Sequence, residues 1–171
     1  MSSGYLRGAW GAALLAMIAL AAGCGSSDHS TSMAMGSTGE GSKMPTPEHA
    51  LLAVKSSHRY GRVLFDTHGK VLYLFEADKG STSTCYGVCA AAWPPALTKK
   101  APMVAAGLDA GLLGTTQRKD GSLQVTYNGH PLYTYSADKP GQIMCQNANM
   151  HGGVWLIVSP KGKPVMGGGS M

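Results

Sequence analysis

The feature that most constrains this chain is an internal repeat. VLFDTHGKVLYLFEADK at residues 63–79 is matched by QVTYNGHPLYTYSADK at residues 124–139. In each copy a β-type run, a glycine turn and a second β-type run lead into Ala-Asp-Lys. Two copies of one supersecondary unit predict a mainly β fold, in which two pseudo-repeated antiparallel units pack as one compact domain. The aligned motif residues are Tyr73, Asp78, Tyr133 and Asp138.

Turn signals divide the rest of the domain into short strands, with little helix. The loop at residues 66–70 contains glycine, and Asn128-Gly129 suits the positive φ angles of a tight hairpin. Residues 50–56 and 87–92 each fit either a short strand or a helical turn. The first repeat covers about residues 60–95 and the second about 123–160. The predicted strands are residues 62–65, 71–75, 122–127, 131–135 and 154–158.

Cysteines and tryptophans follow the motif in both repeats. Cys85 and Cys145 each come seven residues after the motif aspartate. Trp93 and Trp155 follow them, and we expect both indoles to lie in the core. Thiols outside the cytosol tend to be oxidised, so we favour a Cys85–Cys89 disulfide within CYGVC. The alternative is a bond from Cys85 to Cys145 across the repeats, and spacing alone does not decide between them.

The amino-terminal residues read as an export signal. The uncharged apolar run from Gly11 to Ala22 is shorter than the about 20 residues that span a bilayer. It has the length of a signal-peptide apolar region, roughly 7–15 residues. Small residues then lead directly into Cys24. These features predict a signal peptide over residues 1–23.

The end of this signal, Leu20-Ala21-Ala22-Gly23-Cys24, resembles the lipobox of bacterial lipoproteins, with Ala21 where leucine is commoner. The resemblance implies cleavage before Cys24, a diacylglycerol on its thiol and an acyl chain such as palmitate on its amine. Several acyl chains anchor a protein stably. We therefore expect a chain held in the cell envelope by lipid, facing outside the cytoplasm, with the membrane as partner. The alternative is an ordinary signal in which Cys24 is incidental.

Composition places the folded unit between two polar segments. Residues 24–49 are rich in Gly, Ser, Thr and Met and predict a flexible tether, and residues 161–171 predict a disordered tail. A tandem-repeat β domain over residues 50–160 remains. Loss of Arg7 with the signal leaves a formal side-chain charge of 13 − 9 = +4 on the mature chain. These basic residues are scattered, which argues against a nucleic-acid partner.

The repeated motif carries a family resemblance. Tyr73-Leu74-Phe75-Glu76-Ala77-Asp78 and Tyr133-Thr134-Tyr135-Ser136-Ala137-Asp138 both fit Yx(FWY)xxD. With CYGVCAAAWPP, they resemble the bacterial lipoproteins described as a secreted repeat of unknown function. The resemblance covers about residues 60–160 and implies a tandem β-rich domain on a lipid anchor. It implies no biochemical activity, and MCQNANMHGG at residues 144–153 departs from the family pattern.

Three interpretations of the domain follow. The favoured one is a non-catalytic binding or structural module of unknown ligand, in which each motif aspartate caps the loop after its strand. The second is an extracytoplasmic copper-binding protein, because thioether, thiolate and imidazole suit Cu(I). The third is an enzyme with an unrecognised site, in which Asp78 and Asp138, or one of them with His130, converge in a cleft. The copper ligands would be Met144, Cys145, Met150 and His151.

Overall fold

The structure, a computed structural model, describes residues 46–167. In these residues short strands dominate, and the predicted mainly β fold is confirmed. One five-residue helix and one 3-10 turn (Ala110–Leu112) accompany the strands. In chain order the elements are β1 (Leu51–Ser57), β2 (Gly61–Phe65), β3 (Tyr73–Phe75), α1 (Val88–Ala92), β4 (Leu97–Thr98), β5 (Met103–Val104), β6 (Leu113–Gln117), β7 (Leu123–Tyr127), β8 (His130–Pro131), β9 (Ala148–Met150) and β10 (Gly153–Ile157).

The described strands assemble into three small sheets. Their orders are β2-β1-β5, β3-β10-β9 and β4-β7-β6, with β8 also paired to β7. Pairing is antiparallel throughout these sheets except between β1 and β5. The hairpin β1–β2 of the first repeat therefore corresponds to the hairpin β6–β7 of the second.

Each repeat continues from its hairpin into a turn that its sequence encodes. Asp66 Oδ1 accepts hydrogen bonds from the N–H groups of His68 at 2.9 Å and Lys70 at 2.8 Å. In the second repeat Asn128 and Gly129 have φ angles of 51° and 75°. Asparagine tolerates this left-handed conformation and glycine adopts it without steric cost, so the two predicted turns are confirmed.

The strands that follow these turns are shorter than predicted, because each leaves its own hairpin. The sequence predicts strands over residues 71–75 and 131–135, whereas the structure has β3 and β8 there. The N–H of Leu72 donates to the carbonyl of Leu64 in the same repeat at 2.9 Å. One residue later, the N–H of Tyr73 donates to the carbonyl of Tyr133 in the other repeat at 2.9 Å. The chain thus changes partner in the middle of the predicted strand.

The segments after the two tryptophans are exchanged between the repeats. In the first repeat, the N–H of Leu64 donates to the carbonyl of Val158, from the second repeat, at 2.9 Å. In the second repeat, the N–H of Val125 donates to the carbonyl of Ala96, from the first repeat, at 2.8 Å. β10 also pairs with β3, and β4 pairs with β7. Each repeat therefore supplies a strand to the sheet of the other.

A pseudo-two-fold centre lies between the two motif tyrosines. The N–H of each donates to the carbonyl of the other, both at 2.9 Å. Tyr73 and Tyr133 form an isolated antiparallel bridge between the repeats. The predicted pseudo-symmetric pair is thus built around these two residues.

The core has two layers because the motif strands are buried on both faces. Successive side chains of a strand point to opposite sides. Val71, Tyr73 and Phe75 therefore enter one cluster, and Leu72 and Leu74 enter the other. The first cluster is aromatic and contains Trp93 and Trp155, both with 0% exposure, so both indoles lie in the core as expected. The second is mainly aliphatic.

Both predicted boundaries of the domain need correction. The carbonyls of Pro47 and Glu48 accept hydrogen bonds from Lys99 and Lys100, so the fold begins before residue 50. At the other end, the N–H of Val165 donates to Ile157 at 3.0 Å, and residue 158 bridges residue 164. Residues 161–165 are thus ordered rather than a disordered tail, since their backbone groups bond to the end of β10, to Ser159 and to the side chains of Asn128 and Gln146. Residues 1–45 and 168–171, which include the predicted signal peptide and most of the tether, lie outside the described residues.

The two ambiguous segments and the inter-repeat region take definite structures. Residues 51–57 form strand β1, and residues 88–92 form helix α1. The region between the repeats contains β4, β5 and β6, which the sequence patterns do not predict. None of the helices among residues 46–167 has the length and apolarity needed to cross a bilayer.

Candidate functional site

The four motif residues form two reciprocal hydrogen bonds between the repeats. The hydroxyl of Tyr73 donates to Asp138 Oδ2 at 2.7 Å. The hydroxyl of Tyr133 donates to Asp78 Oδ2 at 2.8 Å. Each tyrosine therefore binds the aspartate of the other copy, and we call these contacts the tyrosine–aspartate pairs. Hydrogen bonds to an ionised acceptor are stronger than neutral ones.

The second oxygen of each carboxylate holds the loop that follows the motif. Asp78 Oδ1 accepts from the backbone N–H of Thr84 at 2.7 Å and from its hydroxyl at 2.8 Å. Asp138 Oδ1 accepts from the N–H of Met144 at 3.0 Å. Thr84 and Met144 each lie six residues after their aspartate. Each motif aspartate therefore caps the loop after its strand, as the sequence predicts, and also binds the tyrosine of the other repeat.

Burial dominates the electrostatics of these pairs. It raises the pKa of Asp78 and of Asp138 above their ordinary value, although the hydrogen bonds that the carboxylates accept act in the opposite direction. Burial also raises the pKa of Tyr73 and of Tyr133 far above the ordinary tyrosine value. Because the phenol pKa values lie so high, both hydroxyls keep their protons at neutral pH and act as donors.

Four aromatic rings form a column in the aromatic layer of the core, with three of them stacked and Tyr135 tilted by 41°. Trp93 and Trp155 are nearly parallel, with centroids 3.9 Å apart and an interplanar angle of 4°. Tyr135 packs on the outer side of Trp93 at 4.6 Å, and Phe75 stacks on Trp155 at 4.1 Å. We call this set the aromatic column: Tyr135, Trp93, Trp155 and Phe75.

Both motif tyrosines contact the column edge-on. The Tyr73 ring lies 5.1 Å from Trp93 at 83°, and the Tyr133 ring lies 5.2 Å from Trp155 at 87°. Edge-to-face contacts of this kind are favoured by the ring quadrupole and contribute about 0.5–1.5 kcal/mol each beyond area burial. The aromatic column and the tyrosine–aspartate pairs thus form one connected buried cluster.

The cysteines of the two repeats differ in their bonding. Cys85 and Cys89 form a disulfide, with Cα atoms 5.3 Å apart, at the start of α1. The favoured pairing is therefore confirmed. Cys145 corresponds to Cys85, but among residues 46–167 it has no disulfide partner. Its thiol lies beside the Tyr135 hydroxyl, and this contact raises the pKa of Tyr135. Burial raises the pKa of the Cys145 thiol.

The four candidate copper ligands are spread along β9 and its flanks. Cys145 precedes the strand, whereas His151 follows it in the turn to β10 with φ of 56°. The turn at residues 146–147 and the three residues of β9 lie between them in the chain. Met144 and Met150 are 61% and 36% exposed. Among residues 46–167, no group of three or more His, Cys, Asp or Glu side chains is placed to hold a metal ion.

His130 and the surface groove lie apart from the motif aspartates. His130 belongs to β8, opposite Tyr127, and within the described residues it makes no hydrogen bond to either carboxylate. A groove of about 720 Å³ lies beside β5 and β6 and contains none of the motif residues. Among the residues that line it are Lys100, Met103, Val104, Leu113, Thr115 and Leu123.

A buried arginine is the main feature that the sequence patterns miss. Arg118 is 4% exposed, and its guanidinium donates to Gln124 Oε1 at 2.6 Å and to the carbonyl of Cys85 at 2.8 Å. It also lies 4.3 Å from the ring centroid of Tyr86. A single arginine in a polar hairpin loop carries no pattern that separates it from an exposed one, so no sequence signal identifies it.

Taken together, the fold and cluster define a class of protein: a tandem-repeat β domain whose two motif copies are hydrogen-bonded to each other. A family model described as a secreted repeat of unknown function matches this chain twice, at residues 56–97 and 114–159. The chain belongs to this family, as the sequence resemblance indicates. The family description is consistent with a location outside the cytoplasm. A search of curated proteins and a search of solved structures each gave no match.

Proposed function

We propose that this protein is a membrane-anchored envelope lipoprotein whose tandem-repeat domain is a non-catalytic binding or structural module. In this proposal the chain is cut before Cys24, and the acylated cysteine holds the domain outside the cytoplasm. The apolar run of residues 11–22, typical of a signal peptide, and the lipobox-like residues before Cys24 support the anchor. The family's description as a secreted repeat supports the location.

The observation that carries the module interpretation is the reciprocal bonding of the tyrosine–aspartate pairs. A catalytic carboxylate needs a free oxygen within reach of a substrate. Asp78 and Asp138 instead use both oxygens on groups of the protein itself. Asp138 is also only 2% exposed. The motif that defines the repeat therefore serves the connection between the two repeats.

The copper and enzyme alternatives receive less support. Copper binding would need Cys145 as a thiolate near His151, but burial raises the pKa of that thiol and β9 lies between the two residues. An enzyme would need His130 beside a motif carboxylate, and each carboxylate is engaged by a tyrosine instead. No observation favours either alternative over the module.

The anchor is tested by mass spectrometry of the native protein from its own membranes. The amino-terminal peptide should begin at Cys24 and carry the mass of a diacylglycerol and an acyl chain. A Cys24→Ser variant should be released from the membrane fraction, because several acyl chains together give stable binding. An unmodified Cys24 in membranes would refute the anchor.

The structural role of the motif is tested by removing single hydroxyl groups. Tyr73→Phe and Tyr133→Phe should each lower the free energy of unfolding by about 1.5–3 kcal/mol, the range for hydrogen bonds to charged groups. Tyr60→Phe is the matched control, because the Tyr60 hydroxyl makes no hydrogen bond among the described residues and should change little. Urea denaturation measures all three. Motif variants as stable as the control would remove the basis of the module interpretation.

A further inference from the structure

The aromatic cluster has a feature that tight packing does not require: its rings form a continuous path from the surface to the two tyrosine–aspartate pairs. Tyr135 is partly exposed, whereas Trp93 and Trp155 are both fully buried. Successive centroids along this path are 4.6 Å and 3.9 Å apart. Tyr73 and Tyr133 branch from the two indoles at 5.1 Å and 5.2 Å.

We propose that the aromatic column is a relay for one-electron oxidation, in which an oxidising equivalent that arrives at Tyr135 is trapped as a tyrosyl radical on Tyr73 or Tyr133. This activity goes beyond the module function and does not depend on the lipid anchor. The partner it requires is a one-electron oxidant that meets the exposed face of Tyr135.

Proton acceptors decide where the oxidising equivalent stops. An oxidised phenol or indole becomes strongly acidic. The oxidising equivalent therefore stays on the ring whose O–H or N–H group is already hydrogen-bonded to a base. Trp93 Nε1 is buried and has no hydrogen-bond partner in the described part of the chain. Trp155 Nε1 donates at 3.1 Å to the carbonyl of Met150, which is a poor base. The Tyr73 and Tyr133 hydroxyls instead donate to carboxylates, at 2.7 Å and 2.8 Å. The Tyr135 hydroxyl lies beside the Cys145 thiol.

The trapping step balances within these residues and the oxidant. At Tyr73 the phenol O–H bond breaks, and its proton moves along the existing hydrogen bond to Asp138 Oδ2. The electron leaves through Trp93 and Tyr135 to the oxidant, which is reduced by one electron. The products are a neutral tyrosyl radical, a neutral carboxylic acid and the reduced oxidant. The same step at Tyr133 uses Asp78 and passes through Trp155 first.

Burial makes both carboxylates suitable acceptors. It raises the pKa of Asp78 and Asp138, which strengthens each as a base for the phenol proton. It also keeps water from the Tyr73 and Tyr133 rings, which are 0% exposed. Tyr127 offers a contrast, because it is equally buried but donates to the carbonyl of Pro160 at 3.0 Å and lies in the other layer of the core.

The experiment is flash photolysis of the full-length protein in detergent, with photogenerated tris(bipyridine)ruthenium(III) as oxidant. Electron paramagnetic resonance of the frozen product should show a tyrosyl radical. After exchange into D₂O, a deuteron hydrogen-bonded to the phenoxyl oxygen should be resolved. A tryptophan radical alone, or a radical confined to the partly exposed Tyr60, Tyr86 or Tyr135, would overturn the proposal. This wild-type measurement needs no variant to fold.

Variants then test the path. The Asp78→Asn/Asp138→Asn double variant should form the buried radical roughly a hundredfold more slowly, the typical contribution of a positioned base to proton transfer. Trp93→Phe should slow trapping at Tyr73 in the same assay. Tyr127→Phe is the matched control, and its radical yield should equal that of the wild type. Equal rates in the double variant and the wild type would overturn the proposal, as would loss of the signal in Tyr127→Phe.

Discussion

At the scale of single residues, the motif aspartates are held between opposing effects. Burial disfavours their charge, while the tyrosine hydroxyls and loop N–H groups favour it. Burial prevails, because the pKa of each is raised. A carboxylate with a raised pKa binds protons more readily in the folded state than in the unfolded state. Its contribution to stability is therefore full below the unfolded pKa, about 3.9 for aspartate, and is lost as pH rises through the folded pKa.

This balance predicts that mild acid stabilises the domain through these two residues. The part of the unfolding free energy that depends on Asp78 and Asp138 should increase as pH falls from 7 towards 4, and urea denaturation across that range measures it. The Asp78→Asn/Asp138→Asn variant should show a flatter pH profile than the wild type. Asp120→Asn is the control. Hydrogen bonds from Ser122 lower the pKa of Asp120, so its contribution to stability decreases as pH falls. Parallel profiles in the wild type and the double variant would contradict the prediction.

At the scale of elements, the segment after β10 is a strand partner rather than a tail. The N–H of residue 165 donates to β10 at 3.0 Å, and the Gln146 side chain donates to the carbonyl of Val165. Asn128 Nδ2 donates to the carbonyl of Gly162 at 3.1 Å, which ties this segment to the turn of the second repeat. The segment is nevertheless rich in Gly, Lys and Pro, a composition typical of flexible segments. This composition explains why the sequence predicts a disordered tail.

Truncation tests this assignment. A chain that ends at Pro160 loses the three hydrogen bonds that tie residues 161–165 to Asn128, Gln146 and Ile157. At about 0.5–1.5 kcal/mol per bond, it should lose about 1.5–4.5 kcal/mol of unfolding free energy. A chain that ends at Gly167 keeps all of them and should be as stable as the full-length protein. Chemical denaturation of the two truncated chains makes the comparison. Equal stability of both would show that the segment contributes nothing.

Local sequence patterns predict part of the fold and miss the rest for physical reasons. The two turns, the buried tryptophans and the Cys85–Cys89 disulfide follow from residue types and short spacings. The exchange of strands does not, because a β pattern specifies an alternation of side chains but not which copy of a repeat supplies the partner. For the same reason the motif tyrosine and aspartate appear as neighbours in one repeat, whereas each binds the other copy.

At the scale of the whole molecule, the two repeats exchange strands and share one core. β10 of the second repeat pairs with β3 of the first, and β4 of the first pairs with β7 of the second. Trp93 and Trp155, one from each repeat, stack on each other in the shared core. Removal of one repeat exposes these rings and leaves strand edges without partners, so neither half has a complete core of its own.

Separate expression of the halves tests this interdependence. Residues 46–105 and residues 106–167 should each be unfolded alone, with little dispersion in their amide NMR spectra. Mixed in equal amounts, they should regain the β-sheet spectrum of the intact chain. The intact residues 46–167 serve as the control and should unfold in one cooperative transition. A half that folds as a monomer would disprove the interdependence.

The exchanged strands also bear on how such a chain arose. A gene for one repeat would encode a product that is stable only when two copies trade segments, as in a domain-swapped homodimer. Duplication and fusion of that gene would make the association intramolecular and independent of protein concentration. Once fused, the copies no longer had to be identical. The two copies do differ here at one matched position, where Cys85 is disulfide-bonded and Cys145 is a free thiol.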